Sequence, residues 1–281
     1  MHHLRRAAYR YRERRTDSRI FPKRRRILFA RNFARKERGR MIAQLSYLTG
    51  EELRKLLRGG KLKVLLLLAF LIGVFLVFIG DRIGLDDNLP STALELLLAI
   101  VFPLFMASLG SDLMVGEFKD RTIKHALKLP VSRESLFMGK MLAGWTAGAL
   151  IVLSVFVPTL IGSLVLQGVP ALSELGANLA ELGAAILFCG LLVVLANCVA
   201  LWTGSGGVGL TVSVVLWMAM GVVGLLEPQS SRFLVTEFTD WVRPLLYAGD
   251  AGASISTLLF IIAYYIIGTI LGLLSFQRKE I

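Results

Sequence analysis

The feature that most constrains this chain is the run LKVLLLLAFLIGVFLVFI, Leu62 to Ile79, whose single charge, Lys63, sits at its edge. As a helix it would reach about 27 Å, close to the thickness of a bilayer's hydrocarbon core. Five comparable runs follow, so that six spans are expected at about 62–79, 93–113, 141–166, 182–202, 208–226 and 255–276. Buried helices of a soluble protein would show polar stripes at helical spacing, and these runs are apolar all round. The expected fold is an all-α integral membrane protein of six transmembrane helices.

Net charge follows the same division. Residues 1–40 hold 16 Lys/Arg and 3 Asp/Glu, a balance of +13 against +12 for the whole chain, so the other residues sum to −1. The basic excess therefore belongs to one segment, and no recognition fold surrounds it that would direct it to nucleic acid. Two readings fit residues 1–40: a disordered basic arm drawn to anionic lipid, or an over-extended reading frame ahead of Met41. The segment lacks the apolar core of a signal peptide. Lys and Arg also orient the spans, because short loops that retain them stay in the cytoplasm. Arg54, Lys55, Arg58 and Lys61 precede the first span, Lys119 to Lys140 supplies six bases between spans two and three, and Arg278 and Lys279 follow the last. Both termini are thus expected in the cytoplasm, with the acidic or base-poor loops 80–92, 167–181 and 227–254 outside.

Between the tail and the first span, residues 41–61 predict an amphipathic helix lying at the inner membrane surface. Thr49 and Glu52 have capping-box spacing, Leu53, Leu56 and Leu57 make an apolar stripe, Glu51 is placed to pair with Lys55, and Gly59 and Gly60 end the helix. The transmembrane domain proper is expected over 62–281.

Several chemistries are absent from the pattern. GSGGVGLT, Gly204 to Thr211, matches G-x-G-x-x-G, but it lies between membrane spans rather than in a βαβ unit. It also has Leu210 where a phosphate loop needs Lys, so a tight turn accounts for its glycines. His2, His3 and His125 are too scattered for a metal site, and Cys189 and Cys198, nine residues apart on one helix, face opposite ways. Glu95 and Glu181 fall near outer ends of spans. Mid-membrane positions hold Ser154, Thr159, Asn197, Thr211 and Ser213, the candidate pathway residues. An ion-coupled carrier usually keeps a charge at that depth, which weighs against the carrier or channel alternative. Pro103 and Pro158 are expected to kink spans two and three, and the aromatics Phe233, Phe238, Trp241 and Tyr247 suit a cap over the outer exit.

The stretch MVGEFKDRTIKHALKLPVSRESLFMGK, Met114 to Lys140, stands between two apolar blocks on the expected cytoplasmic side. Glu117 with Arg121 and Asp120 with Lys124 have helix-pair spacing, while Phe118, Ile123 and Leu127 leave an apolar strip rimmed by charge. Pro130 ends that helix and Ser132 can cap the next. A solvated loop helix would explain the charges; the apolar strip favours docking a soluble partner. A third alternative, a membrane anchor that does not transport, would use the same docking helix.

This stretch resembles the segment after the second span of ABC-2 type permeases, the membrane subunits of ATP-binding-cassette exporters. Glu117, Thr122, Ile123, Leu127, Pro130, Val131, Ser132, Arg133, Gly139 and Lys140 match that pattern, and Arg121 stands where glycine is commoner. The resemblance covers about Met41 to Ile281. It implies a non-catalytic subunit of a bacterial cytoplasmic membrane that binds no cofactor itself, with ATP and Mg held by a separate ATPase subunit. It implies a second permease subunit and ATPase coupling through Glu117, Phe118, Asp120, Arg121, Thr122, Ile123, Leu127, Pro130 and Arg133. The apolar spans with scattered Ser, Thr and Asn suit export of an amphipathic or lipidic cargo such as a peptide antibiotic or drug.

Overall fold

A computed structural model describes residues 44–83, 88–119, 133–168, 173–227 and 233–278. The chain divides into two units, 1–46 and 47–281; of the first only 44–46 are described, and they are helical. The second is all helical among its described residues, with α1 over 47–58, α2 Gly60–Ile83, α3 Leu89–Ala99, α4 Val101–Lys119 and α5 Arg133–Gln167. There follow α6 Leu175–Thr203, α7 Gly206–Leu226, a 3-10 turn Val235–Phe238, α8 Arg243–Tyr247 and α9 Ala251–Arg278. Among the described residues five of these helices are long and apolar enough to cross a membrane, and α3 with α4, bent by 55°, adds a sixth if the pair is one span.

That bend has a covalent cause. Pro103 has no N–H to give to Ala99, four residues earlier, and its ring crowds that carbonyl. The helix breaks at Ile100, and the freed Ala99 carbonyl accepts the indole N–H of Trp217 in α7 at 3.2 Å. Pro158 behaves otherwise. Helix α5 runs unbroken through it, and Gly73 of α2 packs so close that an added Cβ would lie 2.8 Å from the proline ring.

Helix α6 is the axis of the bundle: 78% of its apolar window is buried, against 6% for α7 and 17% for α9. It touches α3, α4, α5, α7 and α9. Approach to α9 is close because Gly268 and Gly272, one turn apart, meet Val194, Leu195 and Cys198, and the Cys198 thiol donates to the Gly268 carbonyl at 2.8 Å. Helix α2 lies along α5. The outward faces of α7 and α9 (Val215, Met218, Val222, Leu259, Ile262, Ile266) are large, apolar and exposed. No aqueous surface keeps such faces uncovered, so lipid or further protein must contact them.

The turn between α6 and α7 accounts for the glycine-rich motif. Gly204 takes the left-handed conformation, φ 71°, and its N–H caps α6 through the Ala200 carbonyl. Gly206 faces the Asp112 carboxylate of α4, and Gly209 lies against the Ala200 backbone, where a Cβ would come within 2.6 Å. Each of these glycines is used in turning or packing.

Candidate functional site

Helices α7 and α9 both lean on α6, and between them a cavity of about 310 Å³ opens. Its floor is α4 and α6, through Pro103, Ala107, Leu192, Leu195 and Ala196; its walls carry Trp217, Met220, Ile267 and Leu271. Val235 of the 3-10 turn also reaches it. Among the described residues no charged side chain lines this space, and the polar groups are few: the hydroxyls of Ser213 and Tyr264, the indoles of Trp202 and Trp217, and the Cys198 thiol. Most of those groups are already engaged. Ser213 donates to the Gly209 carbonyl at 2.7 Å, Tyr264 to the Phe233 carbonyl at 2.8 Å, and Trp202 to the Ser275 hydroxyl at 2.8 Å. What remains toward the cavity is hydrocarbon and aromatic surface, suited to an apolar chain or ring.

At the α1 end of the bundle, two ion pairs tie elements distant in sequence. Lys140, 1% exposed near the start of α5, donates to Glu52 of α1 at 2.9 Å, and Lys55 holds the other carboxylate oxygen at 2.7 Å. Burial alone would raise the Glu52 carboxyl; the Lys140 charge and the hydrogen bonds from Lys55 and Lys140 outweigh it and hold Glu52 below its ordinary range. Lys61, at the start of α2, pairs with Asp112 of α4 and donates to the Ser108 carbonyl at 2.6 Å.

At the opposite end Arg243 of α8 gathers acids from two spans. Its guanidinium meets Glu95 of α3 at 2.6 Å and donates to the Ser91 hydroxyl at 3.0 Å. Its Nε lies 3.4 Å from Glu181 Oε1 of α6, an ion contact without hydrogen-bond geometry. Asp240 completes the group. Burial first, then the Glu95, Glu181 and Glu237 charges, push its carboxyl above the usual range, with Arg243 opposing. The aromatic cap lies beside this cluster: Phe238 is buried, stacks on Phe260 with ring centroids 6.3 Å apart, and meets Tyr264 edge-on.

A family model described as ABC-2 family transporter protein matches residues 45–281, most of the chain and all of the helical bundle. The chain belongs to the ABC-2 family. Members are generally the permease components of ABC transporters, so this is a membrane transport protein of the ABC-2 type, of a kind that is generally non-catalytic. Among curated proteins none matches the chain.

The residues singled out by sequence distribute unevenly over this ABC-2 bundle. Of the pathway candidates, Ser213 lines the cavity; Asn197 does not, being buried on α6 with its amide donating to the Met141 sulfur of α5 at 3.7 Å and its oxygen without a hydrogen bond. Ser154 and Thr159 donate to carbonyls of α5 itself, Thr211 is exposed and donates to the Gly207 carbonyl, and none of these three lines the cavity. Glu117 and Phe118 lie in the last turn of α4 and Arg133 begins α5, while Asp120, Arg121, Thr122, Ile123, Leu127 and Pro130 lie outside the described residues. On α1 the expected Glu51–Lys55 pairing is replaced: Glu51 bonds Arg54 and Glu52 bonds Lys55, each three residues apart. Thr49 does not begin a helix, because residues 47–50 are already helical, so Glu52 is no capping-box partner and turns inward instead. Sequence reasoning missed the partners of Glu52 and Arg243. The available signal was a second acid beside Glu51 on a helix expected to lie on apolar surface, and one of only two bases, with Arg232, in residues 227–254.

Proposed function

We propose that this chain is the permease subunit of an ABC-type exporter in a bacterial cytoplasmic membrane, moving an amphipathic or lipidic compound such as a peptide antibiotic or drug. Two permease subunits form the pathway, and a separate ATPase subunit docks on the segment from Glu117 to Arg133, with α1 on the cytoplasmic membrane surface. The observation that carries the cargo class is the cavity of about 310 Å³ between α7 and α9, which has no charged lining. A space of that size and polarity accepts the apolar part of an amphiphile and gives an ion nothing to coordinate. Family membership supports the division of labour with an ATPase.

The test is reconstitution with the ATPase subunit. The two proteins are expected to co-purify, and Glu117→Ala with Phe118→Ala to lower transport-linked ATP hydrolysis in vesicles. Hydrolysis unchanged by that double substitution removes the docking assignment. Uptake driven by an ion gradient in vesicles holding this protein alone would replace the exporter by a carrier.

A further inference from the structure

The pair Glu52–Lys140 is built differently from an ordinary surface ion pair. Lys140 is 1% exposed and the Glu52 side chain 9%. Both carboxylate oxygens are occupied, one by Lys140 and one by Lys55. A closed, doubly bonded pair of this kind resists sliding in a way that apolar contact alone does not. The backbones approach as well: a Cβ added to Gly139, the neighbour of Lys140, would lie 3.0 Å from the Leu48 Cβ of α1. Contact is therefore made at two successive turns of α1, Leu48 and Glu52, on two successive residues of α5.

The place of the contact gives it consequence. Helix α5 has 35 residues, about 52 Å at 1.5 Å per residue, against a hydrocarbon core of about 30 Å. Its only charged residues, Arg133, Glu134 and Lys140, lie in its first two turns, so that end is the one that projects beyond the hydrocarbon core. In sequence, Arg133 is the last residue of the segment assigned above to ATPase docking. Farther along, the same helix packs on α2, α3, α4, α6 and α9.

We propose that Glu52 and Lys140 are positioning residues, a joint that makes α1 and the projecting end of α5 move as one body when the ATPase acts. The inference rests on the ATPase-coupled reading and adds to it a route by which the motion reaches the membrane surface. Lys55 closes the joint from the solvent side.

A cargo-independent experiment tests it. A spin label at Arg54→Cys, a position 70% exposed at its side chain, reports on α1 in the complex with the ATPase. The native Cys189 and Cys198 of α6 are first replaced, Cys189→Ala and Cys198→Ala, so that position 54 alone takes the label. Trapping with ATP and vanadate is expected to change the label's spectrum in the otherwise wild-type complex. The double variant Glu52→Gln with Lys140→Met removes both charges of the pair together and leaves Lys55, 58% exposed at its side chain, to solvent; in the complex that co-purifies with the ATPase its response is expected to fall at least threefold. The charge swap Glu52→Lys with Lys140→Glu is expected to recover at least half of it, since attraction is restored although Lys55 now faces a like charge. A neutral double variant that responds like wild type, or a swap no better than the neutral form, overturns the joint. If the wild-type complex neither responds nor co-purifies with the ATPase, the underlying exporter reading falls instead.

Discussion

The indole N–H of Trp217 in α7 donates to the backbone carbonyl of Ala99, which Pro103 leaves without its helical partner. Pro103 and Trp217 also line the apolar cavity between α7 and α9. The break in the second span, the residue that caps it and the apolar space beside it are thus one arrangement. An unbroken span would need no indole there.

Replacing Trp217 with Phe should therefore cost more than the lost ring area. It leaves a carbonyl unpaired in an apolar setting, about 1 kcal/mol or somewhat more. Pro103→Ala restores an N–H four residues after Ala99, so the double variant should be less destabilised than the sum of the singles. Thermal unfolding of the four proteins in one detergent gives the coupling energy. Strict additivity would mean that the hydrogen bond carries no weight.

The two cysteines offer a readout of the cavity. Both lie in α6, but Cys198 lines the space and Cys189 is fully buried elsewhere on the helix. An alkyl maleimide partitioned into the membrane should modify Cys198 well before Cys189, and Cys198→Ala should abolish the fast phase. Mass spectrometry of the labelled peptides checks this. Equal rates would place the cavity out of reach of membrane-borne molecules.

How much of this was legible differs from element to element. Spans could be read because lipid imposes a length and a composition on each segment separately, and no partner need be known. The bend at Ile100 was legible for the same reason: Pro103 acts on its own helix. Glu52 and Lys140 are 88 residues apart, and a local rule paired Glu52 with Thr49, which the observed helix does not support. Arg243 was equally opaque, since the acids it serves sit on two other spans. The motif GSGGVG shows the converse: its local pattern suggested phosphate, while Gly204, Gly206 and Gly209 answer to Ala200 and Asp112.

That reassignment is testable by substitution within the motif. Gly209→Ala sets a Cβ 2.6 Å from the Ala200 backbone, where α6 and α7 must separate, and overpacking of this kind costs about 1–3 kcal/mol. Gly207 has nothing within 4 Å and lies in the first turn of α7, so Gly207→Ala should be neutral or stabilising by about 0.5–1 kcal/mol. Unfolding in detergent compares the two. A phosphate-binding role would instead show as a nucleotide-dependent shift in the unfolding temperature of the wild-type chain.

The Glu52 pair has a pH signature of its own. Its carboxyl lies below the usual value of 4.5 when folded, so the native state binds fewer protons than the unfolded chain through that range. Its contribution is complete above about pH 5 and is lost as pH falls through the folded value. Glu52→Gln should lose about 1.5–3 kcal/mol near neutrality, because it takes the charged acceptor away from the buried Lys140 ammonium, and should flatten the acid limb of the stability profile. Measuring unfolding from pH 3 to 7 tests both parts, and a Gln variant with the wild-type acid limb would assign that limb to other groups.

At the other end the sign reverses. Asp240 is held above its usual value of 3.8, so the folded chain takes up a proton more readily than the unfolded one. Above the folded value Asp240 opposes folding, and this opposition is relieved as pH falls through that value toward 3.8. Arg243 is the base that counters it, and it also offsets the charges of Glu95 and the buried Glu181 that add to the Asp240 shift. Arg243→Met should therefore destabilise the segment around α8 by about 1–3 kcal/mol at pH 7 and by less at pH 5, nearer the range in which Asp240 takes up its proton and no longer needs the guanidinium. Fluorescence unfolding of the wild type and the variant at the two pH values decides it. A loss that stays constant between them would mean that Arg243 acts through packing and not through its charge.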